Sequence, residues 1–328
     1  MVARTGSAGA GALYSGAMLA RWFRIAQLLE LATCLAAGAW LHAAHGWGPL
    51  AIALGVVAWF AGVRLFLVAI SSLLGWMFRS PRPADQQIGV ARTIALVLGE
   101  WRALLVFNLL YVPWERFVLR PDPPVQPTDR VPVVLVHGYF ANRGYFRPLV
   151  RRLEALGVGP IFVPSFRSWL SPVESFAEEL HARVERIAAG TGQPRVVLVA
   201  QSMGGLIARA YIARHGAARV AALVTIASPH RGTALAALGV GANARQMEEG
   251  SGFLAALERS ESAAESHPPT MCIYSPHDNM VAPQASGRLP WARNVALPGW
   301  GHIALVGSAA LAQALLPELE AAGVRIAR

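Results

Sequence analysis

The sequence predicts an α/β protein, a mostly parallel sheet flanked by helices and preceded by N-terminal transmembrane helices. Three observations carry that expectation. From residue 131 onward, short aliphatic runs alternate with stretches of helical period, the pattern of strands joined by crossover helices. Residues 25–112 are far more apolar than a soluble domain. They account for a 54% hydrophobic content and a mean hydropathy of +0.41 over 328 residues. Between the two regions lie Pro121, Pro123, Pro124 and Pro127, the composition of a stiff, extended linker over residues 121–130.

The first 120 residues read as a membrane region. Ile25 to Leu41 is apolar apart from Gln27 and Glu30, and Leu50 to Phe78 apart from Arg64 and a few serines and glycines. With their flanks they form spans of about 23–43 and 50–78, near the ~20 residues that cross a bilayer. A cleaved leader is the competing reading of the first. A second long run within ten residues and the lack of a small-residue cleavage site argue against it. Two readings stand for Glu30 and Arg64: they pair between the helices, or each reaches toward an interface. A third apolar stretch, about 93–112, contains Glu100 and Arg102. Their insertion cost of up to ~3 kcal/mol each roughly cancels the gain from the surrounding apolar residues. A helix lying in the membrane interface is the preferred reading.

Arginine placement orients the segment. Arg4, Arg21 and Arg24 precede the first span, the loop His42 to Pro49 has no Arg or Lys, and Arg79, Arg82 and Arg92 follow the second. Both ends then lie inside, in a multi-pass protein of the bacterial inner membrane. Two spans leave the rest of the chain cytoplasmic, and three place it in the periplasm. The net charge of +10 comes from 29 basic residues, all arginine and scattered. No nucleic-acid motif accompanies them, so the bilayer and its anionic lipids are the expected partner. Cys34 and Cys272 do not suggest a structural disulfide, and nothing in the sequence specifies an oligomer.

The second region, residues 131–328, is expected to hold six strands: Val131–Val136, Pro160–Val163, Arg195–Val199, Ala221–Ile226, Thr270–Tyr274 and Asn294–Leu297. Helices are expected over Tyr145–Leu156, Ser175–Ala189, Gly204–Arg214 and Ala304–Ala322. In such sheets, ligands bind beyond the carboxyl ends of the strands.

Residues with chemistry cluster at those ends. Ala200-Gln201-Ser202-Met203-Gly204-Gly205 puts Ser202 on a sharp strand-to-helix turn. That turn lifts a hydroxyl out of the sheet and aims the next backbone N–H at the same space. A serine needs a base to take its proton, and the base needs a third group to orient it. Asp278 is the lone aspartate downstream of Ser202 and is the candidate acid; Glu248, Glu249 and Glu258 are the acidic alternatives. His302, in the loop Gly299-Trp300-Gly301-His302, is the candidate base. His277 adjoins the acid and is poorly placed for that role. Backbone N–H donors for an oxyanion are expected at Met203 and at Tyr139, in the loop Val136-His137-Gly138-Tyr139-Phe140. His137 is expected to brace that loop, Phe140 is a candidate substrate contact, and His230 is read as a structural loop residue with a substrate contact as the alternative.

Val-His-Gly-Tyr-Phe at 136–140, Ala-Gln-Ser-Met-Gly-Gly at 200–205, Ser-Pro-His-Arg-Gly-Thr at 228–233, His-Asp-Asn-Met-Val at 277–281 and Gly-His at 301–302 resemble the bacterial lipases and esterases of the α/β-hydrolases. Ala200 replaces the usual first glycine of the motif, a variant found in some of those lipases. The resemblance implies an α/β-hydrolase fold with a lid over residues 233–268, carrying apolar Met247, Phe253, Leu254 and Leu257; an amphipathic helix packed on the core is the plain alternative. Several such lipases hold calcium, but no clustered aspartates suggest a metal here, and no cofactor is expected. The expected function is a membrane-anchored serine hydrolase acting on lipid or other acyl esters. A thioesterase or acyltransferase would use the same residues, and a non-catalytic membrane scaffold is the reading from another class.

Overall fold

The computed structural model describes residues 16–326; Arg4, used above to orient the first span, lies outside them. Helix α1 (Gly16–His45) and helix α2 (Pro49–Met77) form a hairpin. Helix α3 (Val90–Val106) follows and runs into a π-helical turn, Phe107–Tyr111, and the short helix α4 (Glu115–Val118). Among the described residues, three segments are long and apolar enough to cross a membrane: Met18–His45, Pro49–Met77 and Val90–Tyr111. The far half of the hairpin has no protein cover, leaving Leu28, Leu35, Trp40, Leu50, Leu54 and Trp59 exposed. Contiguous apolar surfaces of this kind mark interaction sites.

The charges inside the hairpin resolve in favour of pairing. Arg64 of α2 donates through both terminal nitrogens to the Glu30 carboxylate of α1, at 2.5 and 2.7 Å. It also donates to Oδ1 of Asn108 at 3.0 and 3.1 Å. Helices α1, α2 and the turn after α3 are thus joined by one neutral polar cluster, which removes the cost of an isolated charge among apolar helices.

Six parallel strands form one sheet in the order β2-β1-β3-β4-β5-β6. They are β1 (Val133–Val136), β2 (Ile161–Phe162), β3 (Val196–Gln201), β4 (Val220–Ile226), β5 (Thr270–Tyr274) and β6 (Arg293–Ala296). The first and third strands are buried on both faces, which is why they read as unbroken aliphatic runs rather than alternating ones. Helices α5 (Arg147–Ala155) and α10 (Ala309–Ala321) cover one face, where Leu149, Leu153, Leu311 and Leu315 meet Leu135, Val199 and Ile273. Helices α6 (Val173–Thr191) and α7 (Met203–His215) cover the other, where Phe176, Leu180 and Leu206 meet Val134, Leu198 and Ala200. All six expected strands and four expected helices are present, their ends shifted by a few residues.

Two segments behave differently from their composition. The proline-rich stretch is extended but strapped down: Asp122 pairs with Arg143 at 2.5 Å and accepts from the Val163 N–H, and the Thr128 N–H donates to Thr191 O. The chain between β4 and β5 divides in two. Helix α9 (Gly252–Ser262) buries Leu254 and Leu257 in the core beside α7, as the plain amphipathic reading expects. The preceding stretch, with helix α8 (Ala242–Gln246), overhangs the strand ends, and the Tyr139 hydroxyl holds it by donating to Val240 O at 2.7 Å.

The N-terminal helices are not a separate body. Leu19 and Phe107 belong to the core of the α/β unit, and the end of α3 from Glu100, with the π-helical turn after it, lies along that unit, with Tyr111 O against Gly144.

Candidate active site

Ser202 stands between β3 and α7 with φ 55° and ψ −129°, a conformation that L-residues avoid. Holding it costs about 1–3 kcal/mol. The surroundings make room for that turn: a Cβ on Gly204 would lie 2.2 Å from Val136 O, and one on Gly205 2.2 Å from Ser228 Oγ. Ser202 N–H donates to Ile226 O at 2.8 Å, tying the turn to the neighbouring strand. On its other side lies the loop after β1. A Cβ on Gly138 would come within 2.8 Å of Ser202 Cβ, so glycine lets that loop pass over the serine. Tyr139 and Met203, the expected oxyanion donors, sit on the two segments that flank Ser202. Phe140, at φ 50°, continues the loop and lines the cavity in front of the serine.

Asp278 follows β5, and its Oδ1 accepts from the Met280 and Val281 N–H groups at 2.7 and 2.8 Å. Both oxygens face His302 Nδ1, at 3.1 and 2.9 Å. A carboxylate there holds the proton on Nδ1 and leaves Nε2 as the acceptor. Nε2 is met by the Gln201 side-chain amide at 3.1 Å, so the amide N–H donates to it. Burial alone would lower the His302 pKa. The Asp278 charge and hydrogen bond outweigh it, leaving the imidazole above the ordinary histidine value.

That shift has a sign that kinetics will read. A His302 that acts as base would work in its neutral form, so activity would fall as the pH drops through its pKa. The acid limb of kcat/KM for a short ester is expected above the ~6.5 of an unperturbed histidine. In Asp278→Asn the limb should move down and kcat should fall by about 10⁴. A limb at or below 6.5 in the wild type would contradict the assignment.

Four further side chains support the arrangement, and the sequence reading did not assign them a role there. Asn279 Oδ1 accepts from the His302 N–H at 3.0 Å, and its Nδ2 donates to Ser71 Oγ of α2 at 2.8 Å. Glu100 of α3 is fully buried, and its carboxylate accepts from the Ile303 N–H at 2.9 Å and the Ala304 N–H at 2.8 Å, just past His302. Gln201 is the fourth. An acidic residue in a largely apolar helix was the signal for Glu100, since such residues mark functional positions by default.

The remaining histidines stay apart from this group. His137 is buried against Phe166 and contacts Gly138 O through Nδ1, and burial pushes its pKa down to about 4. It remains neutral and braces the loop. His277 accepts the Gly299 N–H, and burial lowers it to about 4 as well. His230 is not among the residues that line the cavity in front of Ser202. Its ring packs within the loop, with Nε2 at 2.9 Å from Thr225 Oγ1 and 3.6 Å from Cys272 Sγ. Its carbonyl is taken by Arg209, which anchors α9 through Glu261.

Ser202, Gln201 and His302 open onto a cavity of about 410 Å³, otherwise lined mostly by apolar side chains. Leu235, Val240 and Met247 roof it from the stretch before α9, while Leu104 and Phe107 wall it from the α3 side. A hydroxyl, a base and an apolar chamber of this size suit an acyl group attached to a reactive carbonyl. Among the described residues, no three His, Cys, Asp or Glu side chains converge as metal ligands.

Comparison with known proteins agrees with the fold. Residues 131–256 match the family described as α/β hydrolase fold. The chain is 35% identical over 115 residues to a triacylglycerol lipase of Pseudarthrobacter phenanthrenivorans, covering 33% of this chain and 35% of that protein. A triacylglycerol lipase of Burkholderia plantarii matches at 35% identity over 115 residues, 33% of this chain and 32% of that one. The chain thus spans about a third of the length of the curated relatives it matches. In structure it is similar to the mature Bacillus licheniformis lipase BlEst2 (TM-score 0.52, 16% identity, 62% of this chain and 96% of that one). It is also similar to Aspergillus fumigatus lipase B (TM-score 0.56, 15% identity, 78% and 80%). The chain has the α/β-hydrolase fold and is similar over part of its length to lipases of that fold.

Proposed function

We propose that this protein is a membrane-attached serine hydrolase that cleaves carboxylic acyl esters, with Ser202 as nucleophile, His302 as base and Asp278 as the residue that orients it. The observation that carries the reading is His302 held on Asp278 by Nδ1, with Nε2 turned toward the cavity that Ser202 enters from its strained turn. On substrate binding, Nε2 exchanges the Gln201 amide for the Ser202 hydroxyl and takes its proton as Oγ attacks the carbonyl. The Met203 and Tyr139 N–H groups receive the oxyanion. The C–O bond to the alcohol breaks as His302 returns the proton to the leaving oxygen. Water, deprotonated by His302, then releases the carboxylic acid and restores Ser202.

Helix geometry supports attachment through two spans. Trp22 and Trp40 on α1 are both exposed and 18 residues apart. At 1.5 Å per residue they lie about 27 Å apart, close to the ~30 Å hydrocarbon layer and its aromatic belts. On the returning limb, exposed Trp47 lies in the turn just before α2 and exposed Trp76 near the end of α2, so each pairs in the hairpin with one of the α1 tryptophans. Helix α3 lies along the α/β unit, which suits a helix at the interface better than a third span. With arginines at the Trp22 and Trp76 end, the catalytic unit is read as cytoplasmic.

The test is labelling of the full chain with a fluorophosphonate. A single adduct on Ser202, lost in His302→Ala, is expected. An adduct elsewhere, or undiminished labelling of His302→Ala, would remove the assignment.

A further inference from the structure

The catalytic cavity has a neighbour of nearly the same size that the hydrolase unit does not build alone. A cavity of about 420 Å³ lies between α1, the end of α3 and the catalytic unit. Leu19, Trp22, Phe23 and Ala26 of α1 form one wall, and Phe140 and Trp169 form the opposite one. Phe23, Asn108 and Phe140 line this cavity and the catalytic cavity alike, so the two adjoin. Of these shared residues, Phe140 packs edge-on against Trp169, with ring centroids 4.6 Å apart. At the base of the adjoining cavity, the Glu30–Arg64–Asn108 cluster satisfies its own charges and asks for no polar ligand.

Its position relative to the bilayer argues for the occupant. The α1 wall runs from Leu19 to Glu30, and the part beyond Trp22 extends about 12 Å at 1.5 Å per residue. That is most of the depth of one leaflet of a ~30 Å hydrocarbon layer. An apolar channel that starts beside the nucleophile and descends through a leaflet fits a hydrocarbon chain already in that leaflet. A water-soluble ester would have no use for it.

We infer that the adjoining cavity seats the second acyl chain of a two-chain membrane glycerolipid while its scissile chain lies in the catalytic cavity, so that substrate is drawn laterally from the near leaflet. The inference rests on the ester-hydrolase reading above. It makes α1 part of the substrate site rather than an anchor alone, and it makes two-chain lipids the preferred substrate class.

The experiment uses the full chain in phosphatidylglycerol vesicles. Hydrolysis of a two-chain phosphatidylglycerol is compared with hydrolysis of its one-chain analogue carrying the same scissile chain. Wild type is expected to favour the two-chain lipid, and Ala26→Trp, which fills the cavity, is expected to lower the two-chain to one-chain ratio of kcat/KM by about tenfold or more. A ratio unmoved by Ala26→Trp, or a wild type that prefers the one-chain lipid, would overturn the inference. Should Ala26→Trp fail to fold, Ser202→Ala protein with a diazirine on the second chain of the lipid gives an independent reading. Crosslinks to Phe140 or Trp169 are expected; crosslinks confined to outward residues such as Leu28 and Trp59 would overturn it. A wild type that hydrolyses neither lipid nor any short ester would remove the hydrolase reading instead, and the crosslink would still decide the cavity.

Discussion

Ser202→Ala is expected to lower kcat on a short p-nitrophenyl ester by about 10⁶ while leaving the fold intact. The magnitude follows from how serine hydrolases divide their work. Removing the nucleophile forfeits the covalent route, and the activity left, about 10³–10⁴ over water, comes from oxyanion donors and binding alone. The structure has a specific reason to expect little structural loss. Ser202 is half-buried, its N–H bond to Ile226 O is backbone, and Gly204 and Gly205 make the close approaches behind it. Alanine keeps the strained φ of 55° but changes no packing contact that holds the turn. The thermal midpoint should therefore stay within a few degrees of wild type. Steady-state kinetics and a melting curve on the same preparation check both parts. Activity within tenfold of wild type would mean that another group performs the attack.

Glu100→Ala is expected to lower kcat by about 10² with a much smaller change in KM. Its carboxylate is the partner of the Ile303 and Ala304 N–H groups, directly after His302. Without it, two buried donors lose a charged acceptor, at about 1.5–3 kcal/mol for each bond. The loop that carries His302 then shifts to recover partners, and a displacement of about 1 Å at a reacting group costs about 10² in rate. Glu100→Gln retains one acceptor oxygen and nearly the same volume, so it should recover part of the loss. A general loss of stability would lower the amount of active enzyme, whereas a displaced base lowers the rate of each molecule. Active-site titration with a fluorophosphonate separates the two. A normal kcat per titrated site in Glu100→Ala would show that the α3 carboxylate does not position His302.

The two predictions differ in how much of their basis was legible in the sequence. Ser202 stood out because the turn imposes a local pattern: an aliphatic strand, then a serine, then small residues where strand and helix approach. Asp278 and His302 followed because each sits in a short polar loop just past a strand, and few other candidates exist downstream. The six strands were readable for a related reason. Strands buried on both faces need unbroken aliphatic runs, and such runs are rare elsewhere in the second region.

Glu100 was visible as an anomaly, yet its partners were not. Its carboxylate meets N–H groups about 200 residues away, and nothing local to an apolar helix tells which loop will dock on it. The same holds for Ser71 with Asn279 and for Arg64 with Asn108. For His230 the loop motif left a structural role and a substrate contact both open, and packing against the sheet set its side chain toward Thr225 and Cys272.

The sequence by itself determined the class of fold, the strand order's raw material, the nucleophile turn and the apolar hairpin, because each is written in local spacing of polar and apolar residues. The tertiary structure alone decided that the N-terminal helices pack into the α/β unit, that Glu100 and Asn279 bond the His302 loop, and that a second cavity opens along α1. Those features depend on which surfaces meet. The physical reason is that contacts between distant segments arise from the shape and burial of whole elements, which no short stretch of sequence encodes.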